Sequence, residues 1–433
     1  MPEPKFRVAI CGGGIGGLCL AVALSKDPSI EVSVYEAAQR FSEIGAGVMI
    51  WEKTWRILEI MGLTERFSKI AHAPPDGSIE VGFDHRRSDQ PEEGFRFSLA
   101  EMPYGCIRFH RADFLDVFIN NLPAGIAHFN KRLSFYGRSL SDSAIALHFT
   151  DDTTATCDLL VGCDGIKSTV RGQMYTEQAE RIRAEGGDWQ SLLDCIEPAW
   201  SGKTTYRGLI PAEKLSSGHR ALRAPMKYCG KGKHVVSYSI SQGSIVNVVT
   251  FASELEKEGT PYEGPWVTEC SQQELLDCFT NWEPDVEELL KCIDKPTRWG
   301  IHHLKPLPFY VTDAVALLGD AAHAMTPHLG AGAGQAIEDA FILSFLLTHP
   351  DTDRGTLNTA LRAYEHARLQ KATRVLKGSW NAAIMCEFNS PEYGDDYSRL
   401  GDAIRRQWDW VWESTPESDA DEAIQWLARA LKI

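Results

Sequence analysis

The stretch that decides the fold is Phe6-Arg7-Val8-Ala9-Ile10-Cys11-Gly12-Gly13-Gly14-Ile15-Gly16-Gly17-Leu18. Six β-like residues run into a glycine-rich turn, and Leu18 to Leu24 is then Ala/Leu-rich and helical. A second strand, Glu31-Val32-Ser33-Val34-Tyr35, ends on Glu36. This β-turn-α-β order builds parallel sheets. Gly12 permits a tight turn, Gly14 lets backbone approach a pyrophosphate, and Gly17 lets helix pack on strand. The helix N-terminus offers free N–H groups to phosphates. Glu36 stands about 20 residues beyond the glycines, where an acidic side chain can hold a ribose diol. The fingerprint alone does not separate FAD from NAD.

Outward from this unit, Trp51 to Met61 reads as a helix ended by Gly62, and Arg111 to Asn121 as another. Ser78 to Phe83, Arg132 to Arg138, Ala144 to Thr150 and Asp158 to Gly162 read as strands. From about Glu177, strand-like Thr204 to Ile210, Val235 to Ile240 and Ser244 to Phe251 predict an antiparallel sheet. Helices at Gln272 to Thr280 and Pro284 to Ile293 close that segment. Ala314 to Leu318 is again a buried strand, followed by helices at Gly330 to Leu347 and Leu357 to Ser379. The expected fold class is α/β, a Rossmann-like nucleotide domain with an inserted sheet and a helical C-terminal region. The expected division is 1–72, 105–176 and 297–350 for the nucleotide domain. Residues 73–104 are an excursion, 177–296 the substrate sheet and 351–433 the helical region.

Composition narrows the function classes. The 433 residues carry 44 Lys and Arg against 59 Asp and Glu, a net charge of −15. A nucleic-acid binder needs a basic surface to displace counterions, so that class is disfavoured. The 11 cysteines contain no CxxC pair, which suits reduced, mostly buried thiols in a cytoplasmic protein. Met1 to Lys5 leads straight into a strand and leaves no room for a signal peptide. No apolar run approaches the length of a spanning helix, so no membrane association is expected.

Two further motifs end apolar strands on a carboxylate beside glycine. These are Leu160-Val161-Gly162-Cys163-Asp164-Gly165 and Leu317-Leu318-Gly319-Asp320-Ala321-Ala322-His323. Ligands bind beyond such carboxyl ends. The small residues of Pro327-His328-Leu329-Gly330-Ala331-Gly332-Ala333-Gly334-Gln335 lead directly into a helix. Arg111 opens a helix in Phe109-His110-Arg111-Ala112-Asp113-Phe114-Leu115. Together, from Val8 to about Leu347, these motifs resemble those of the group A FAD-dependent aromatic hydroxylases. His110 to Asp116, Tyr206-Arg207-Gly208-Leu209 and Gly319 to Gln335 are similar to salicylate hydroxylases in particular.

The resemblance implies FAD as cofactor, NADH or NADPH as cosubstrate, and O₂. It assigns Gly12, Gly14, Gly17, Glu36, Arg111, Asp164, Asp320, Gly330, Gly332 and Ala333 to the cofactor. It implies hydroxylation of a small phenolic acid through a flavin hydroperoxide, with salicylate giving catechol and CO₂. Non-decarboxylating or dearomatising hydroxylation of another phenol is the alternative; a flavin-binding redox protein without oxygenase turnover is a remoter one. Arg207, on a strand among apolar neighbours, is a rigid donor fork for a carboxylate or phenolate. Tyr238 is its candidate partner on a neighbouring strand, and His328 a candidate for deprotonating the phenol. The spacing of His323 and His328 is no metal signature, and no metal is expected. His323 reads as structural. Trp408, Trp410 and Trp412 read as packing of an acidic terminal helix. A monomer or homodimer is expected.

Overall fold

In the computed structural model, which describes residues 3–41, 47–72, 76–138 and 144–432, Phe6–Cys11 is the heart of a six-stranded sheet. Its neighbours are Leu159–Gly162 on one side and Ile30–Tyr35 on the other, both parallel. Val315–Leu317 continues the parallel order beyond Leu159–Gly162. Three strands from distant parts of the chain thus end at one edge of the sheet, where Gly12, Cys163 and Leu318 follow. Helix Ile15–Leu24 is buried on nearly every side and packs against helix Gly332–Thr348. Burying its Leu18, Leu20, Val22 and Leu24 contributes roughly 2 kcal/mol per side chain before entropy is counted.

A second sheet has eight strands. Its order is Val267–Glu269, Thr297–His303, Ala199–Pro211, Ile245–Ser253, Lys233–Ile240, Met226–Gly230, Ile79–Arg87 and Phe95–Pro103. Neighbours are antiparallel except Met226–Gly230 beside Ile79–Arg87. Period-two alternation separates the two faces. Tyr206, Val235 and Val248 pack under helices Gln272–Cys278 and Pro284–Lys291. Arg207, Val236 and Tyr238 face the first sheet's motifs across a cavity.

Three elements are set against the expected bounds. Thr297–His303, just past the expected boundary at 296/297, pairs with Ala199–Pro211 in the large sheet. Helix Thr169–Ala184 runs across the expected boundary at 176/177, with Gly172 in its first turn and no proline. The helix expected to end at Ser379 runs on to Cys386, since no glycine or proline follows Gly378 until Pro391.

The C-terminal tryptophans are not on the terminal helix Pro416–Leu431 but in the short 3₁₀ segment Arg406–Val411 and just after it. Trp408 is fully buried, edge-on to Trp51 at 5.6 Å and close to Phe83 at 6.1 Å. The C-terminal region therefore closes the far end of the large sheet. All 11 cysteines are free thiols. No described helix is long and apolar enough to cross a membrane.

Candidate active site

A cavity of about 530 Å³ lies between the two sheets. One wall is the glycine turn. Gly12 takes φ +110°, and a Cβ there would stand 2.2 Å from the Cys163 carbonyl oxygen. A Cβ on Gly17 would stand 2.1 Å from the Gly12 carbonyl oxygen, so both positions require glycine. Gly14, by contrast, has open space where its side chain would be, and it lines the cavity. This is a cradle shaped for a pyrophosphate at a helix N-terminus. Glu36 accepts from the Gly13 N–H at 2.8 Å and the Ala38 N–H at 2.7 Å. It stands behind the turn and is not among the residues lining the cavity.

Arg111, Asp320, Gly330, Gly332 and Ala333 all line the same cavity. Arg111 is the first residue of helix Arg111–Ile119, and Asp320 follows Gly319, whose φ is +64°. The turn before Asp320 is held from behind by Asp339. Its carboxylate accepts from the Gly319 N–H at 3.0 Å, meets His323 Nε2 at 2.6 Å and accepts from Arg368 Nε at 2.7 Å. Burial alone would raise this carboxyl, but His323 and Arg368 hold it at about 2. His323 is structural.

Asp164, expected at the cofactor, has a carboxylate that accepts from Ser168 Oγ and from the Thr169 and Val170 N–H groups. It organises the start of helix Thr169–Ala184, and it is Cys163, Gly165 and Ile166 that line the cavity. A carboxylate beside glycine looks the same in sequence whether it faces a ligand or its own helix.

The large sheet supplies the opposite wall. Arg207 lines it with its guanidinium 4.4 Å from the Trp299 ring centre. No salt bridge is formed by Arg207 among the described residues, and its Nε has no hydrogen-bond partner. Burial lowers its pKa, as expected of a cation without a countercharge. Tyr238 lines the cavity too. Burial, then Cys106, pushes its phenol up, against the pull of Arg207, Arg108 and Arg111. The register puts Asn247 opposite Tyr238, and its Oδ1 accepts from the Gly47 N–H at 3.3 Å while its Nδ2 is unpaired.

His328 is buried with neither ring nitrogen hydrogen-bonded, its ring 4.6 Å from Phe251 and 5.2 Å from His234. Burial, then the charges of His234, Lys203 and Lys227, hold it well below the usual histidine range. It is a neutral imidazole with a free acceptor at neutral pH. Behind it, His234 Nδ1 lies 3.1 Å from Glu387 Oε1, and Lys203 Nζ donates to Glu387 Oε2 at 2.8 Å. His234, His328 and Glu387 have ligand atoms within 4.8 Å of one another, but Lys203 already neutralises the carboxylate.

Sequence reading missed Lys227, His234 and Asn247. The alternation His234-Val236-Tyr238 was the available signal for His234. A lysine inside the apolar strand Met226–Gly230 was the signal for Lys227.

Fold and cavity together define a dinucleotide-binding enzyme whose cofactor cradle opens directly onto a pocket walled by a second sheet. Residues 5–379 match the family described as FAD binding domain. The chain is 38% identical to a salicylate hydroxylase of Pseudomonas putida, over 97% of this chain and 94% of that protein. It is 34% identical to a 6-methylsalicylate 1-monooxygenase of Aspergillus terreus, over 98% of this chain and 93% of that one. A solved salicylate hydroxylase substrate complex superposes with a TM-score of 0.84 at 31% identity, covering 98% of each chain. The chain belongs to this FAD-binding family, and it is an FAD-dependent aromatic monooxygenase.

Proposed function

We propose that this enzyme converts salicylate to catechol and CO₂, consuming NAD(P)H and O₂. The observation that carries the reading is one cavity that joins the glycine cradle to the neutral imidazole of His328 and to Arg207 and Lys227 of the large sheet, which meet no carboxylate among the described residues. The part built on the six-stranded sheet holds FAD through Gly12, Gly14, Gly17, Arg111, Asp320, Gly330, Gly332 and Ala333. Glu36 serves the ribose, and Asp164 acts indirectly by shaping the Cys163–Ile166 turn. The part built on the eight-stranded sheet holds the ring.

Bound FAD supplies hydride acceptance from the nicotinamide and transfer of one oxygen atom from O₂. The chain's own residues do the rest. Arg207 and Tyr238 bind the phenol oxygen and favour its ionised form, and the phenolate ring is the more electron-rich at the carbon to be attacked. His328 takes the phenol proton on its free nitrogen. Val236, Phe251 and Trp299 exclude water and hold the ring in place. Salicylate, NADH, O₂ and two protons give catechol, CO₂, NAD⁺ and water. The carbon–carboxylate bond breaks as the ring regains aromaticity, and its electron pair returns to the ring. The free thiols suit a cytoplasmic enzyme, acting as a monomer or homodimer.

The test is NADH and NADPH oxidation by the FAD-loaded protein with and without salicylate, with catechol and CO₂ measured together. Stimulated oxidation with one catechol and one CO₂ per coenzyme is expected. Stimulated oxidation yielding hydrogen peroxide alone removes salicylate as the substrate.

A further inference from the structure

Among the described residues three lysines are buried, Lys53, Lys203 and Lys227, each no more than 5% exposed. Lys53 meets Asp419 at 2.7 Å, and Lys203 meets Glu387 at 2.8 Å. Lys227 meets no carboxylate among the described residues. Its Nζ donates to the His328 carbonyl oxygen at 2.8 Å and lies 4.6 Å from the Phe83 ring centre and 5.4 Å from that of Trp408. An ammonium has three donors, and one is used. A buried ammonium with no carboxylate beside it is costly, and two aromatic faces offset only part of that cost.

Lys227 lines the same cavity as His328 and Phe83. We infer that Lys227 is the anchor for the substrate's carboxylate, and that with His328 it selects a ring bearing a hydroxyl and a carboxylate on adjacent carbons. The inference rests on the proposed hydroxylation of a phenolic acid. Its geometric support is the joint position of the two groups. The ammonium is bonded to the backbone of the residue whose imidazole awaits the phenol proton. Neighbouring substituents on one ring face these two groups together, whereas a para arrangement separates them across the ring. Arg207, on another strand and beside Trp299, is already assigned to the phenol oxygen. The ionisable neighbours that feel Lys227 include His85, His328, Cys106, Cys229 and Cys386, and of these only thiols can become anionic. Cys386 is the thiol among them that is pulled down, by Cys229 first and then by Lys227 and His85, and Cys386→Ser removes it.

The test uses FAD-loaded protein and follows the flavin absorbance change on titration with salicylate, 4-hydroxybenzoate, 2-hydroxybenzamide and phenol. Lys227→Met keeps the side chain's length and apolar surface. Loss of one charge-assisted contact predicts a rise in salicylate Kd of about 10- to 100-fold, with 2-hydroxybenzamide changed less than about threefold. Cys386→Ser is expected to leave salicylate binding intact. Flavin content and thermal midpoint of each variant report folding. Equal weakening of salicylate and its amide in Lys227→Met overturns the inference, as does unchanged salicylate binding. Should Lys227→Met not fold, the wild-type protein decides: binding 2-hydroxybenzamide or 4-hydroxybenzoate as tightly as salicylate overturns the inference. Tight salicylate binding that depends on Lys227, without catechol formation, supports the anchor and refutes the proposed reaction.

Discussion

Arg368 and Lys227 are both 1% exposed, yet the protein treats their charges in opposite ways. Arg368 sits in helix Leu357–Cys386 and meets Asp339 at 2.7 Å and Glu338 at 2.9 Å. Lys53 lies 3.9 Å from Glu338 and joins Asp419. This cluster ties helix Gly332–Thr348 to the C-terminal helices and is complete within the chain. Across the cavity, Lys227 and Arg207 are held by aromatic faces and by no described carboxylate. The lesson is that a buried cation marks scaffold when its charge is balanced internally, and a ligand site when it is not. Both have desolvation costs, but only the second can be offset by substrate.

The comparison is broken most forcefully from the scaffold side. Arg368→Ala leaves two buried carboxylates without their main partner and is expected to cost about 3–5 kcal/mol. Its thermal midpoint should fall sharply. A midpoint near that of the parent protein would show the cluster to be dispensable. The same variant should become acid-sensitive. Asp339 is held at about 2 against a usual 3.8, so its shift stabilises the fold above pH 4, by about 2 kcal/mol. That contribution fades as pH falls from 4 through 2. Without Arg368 the carboxyl titrates higher, so acid unfolding followed by circular dichroism should move toward neutral pH.

A smaller stability effect and a larger functional one are expected on the cavity side. Arg207→Ala should raise KM for salicylate about tenfold, with FAD retained and little change in thermal midpoint. Loss of flavin on dialysis would instead assign Arg207 to the cofactor. The smallest effect belongs to the exposed surface. Arg374 pairs with Glu413, both about half exposed. Arg374→Ala should move the thermal midpoint by less than about 2 °C and leave KM unchanged. A large shift there would show that exposure does not separate the two kinds of ion pair.

The α/β order, the glycine turn and the strands of the inserted sheet were legible in the sequence because each is local. A strand that must be buried on both faces is continuously apolar. A turn that brings backbone to phosphate must be glycine, and a half-buried strand alternates. Boundaries such as Thr297 were not legible, since strand pairing is decided by the partner Ala199–Pro211 and not by the strand's own residues. Asp164 and Glu36 show the same limit at the site. Their residue type announces a carboxylate at a strand end, but only the packed turn reveals which N–H groups it accepts.

What the sequence determined by itself was the class: a dinucleotide cradle, a sheet facing it, and an acidic chain unsuited to nucleic acid. What only tertiary structure decided was which charges remain unbalanced. Lys53, Lys203 and Lys227 are equivalent as letters in a chain. Whether each meets a carboxylate depends on residues up to 366 positions away, as Asp419 is from Lys53. Electrostatic balance is set by distances of a few ångströms in space, and such distances bear no relation to separation along the chain.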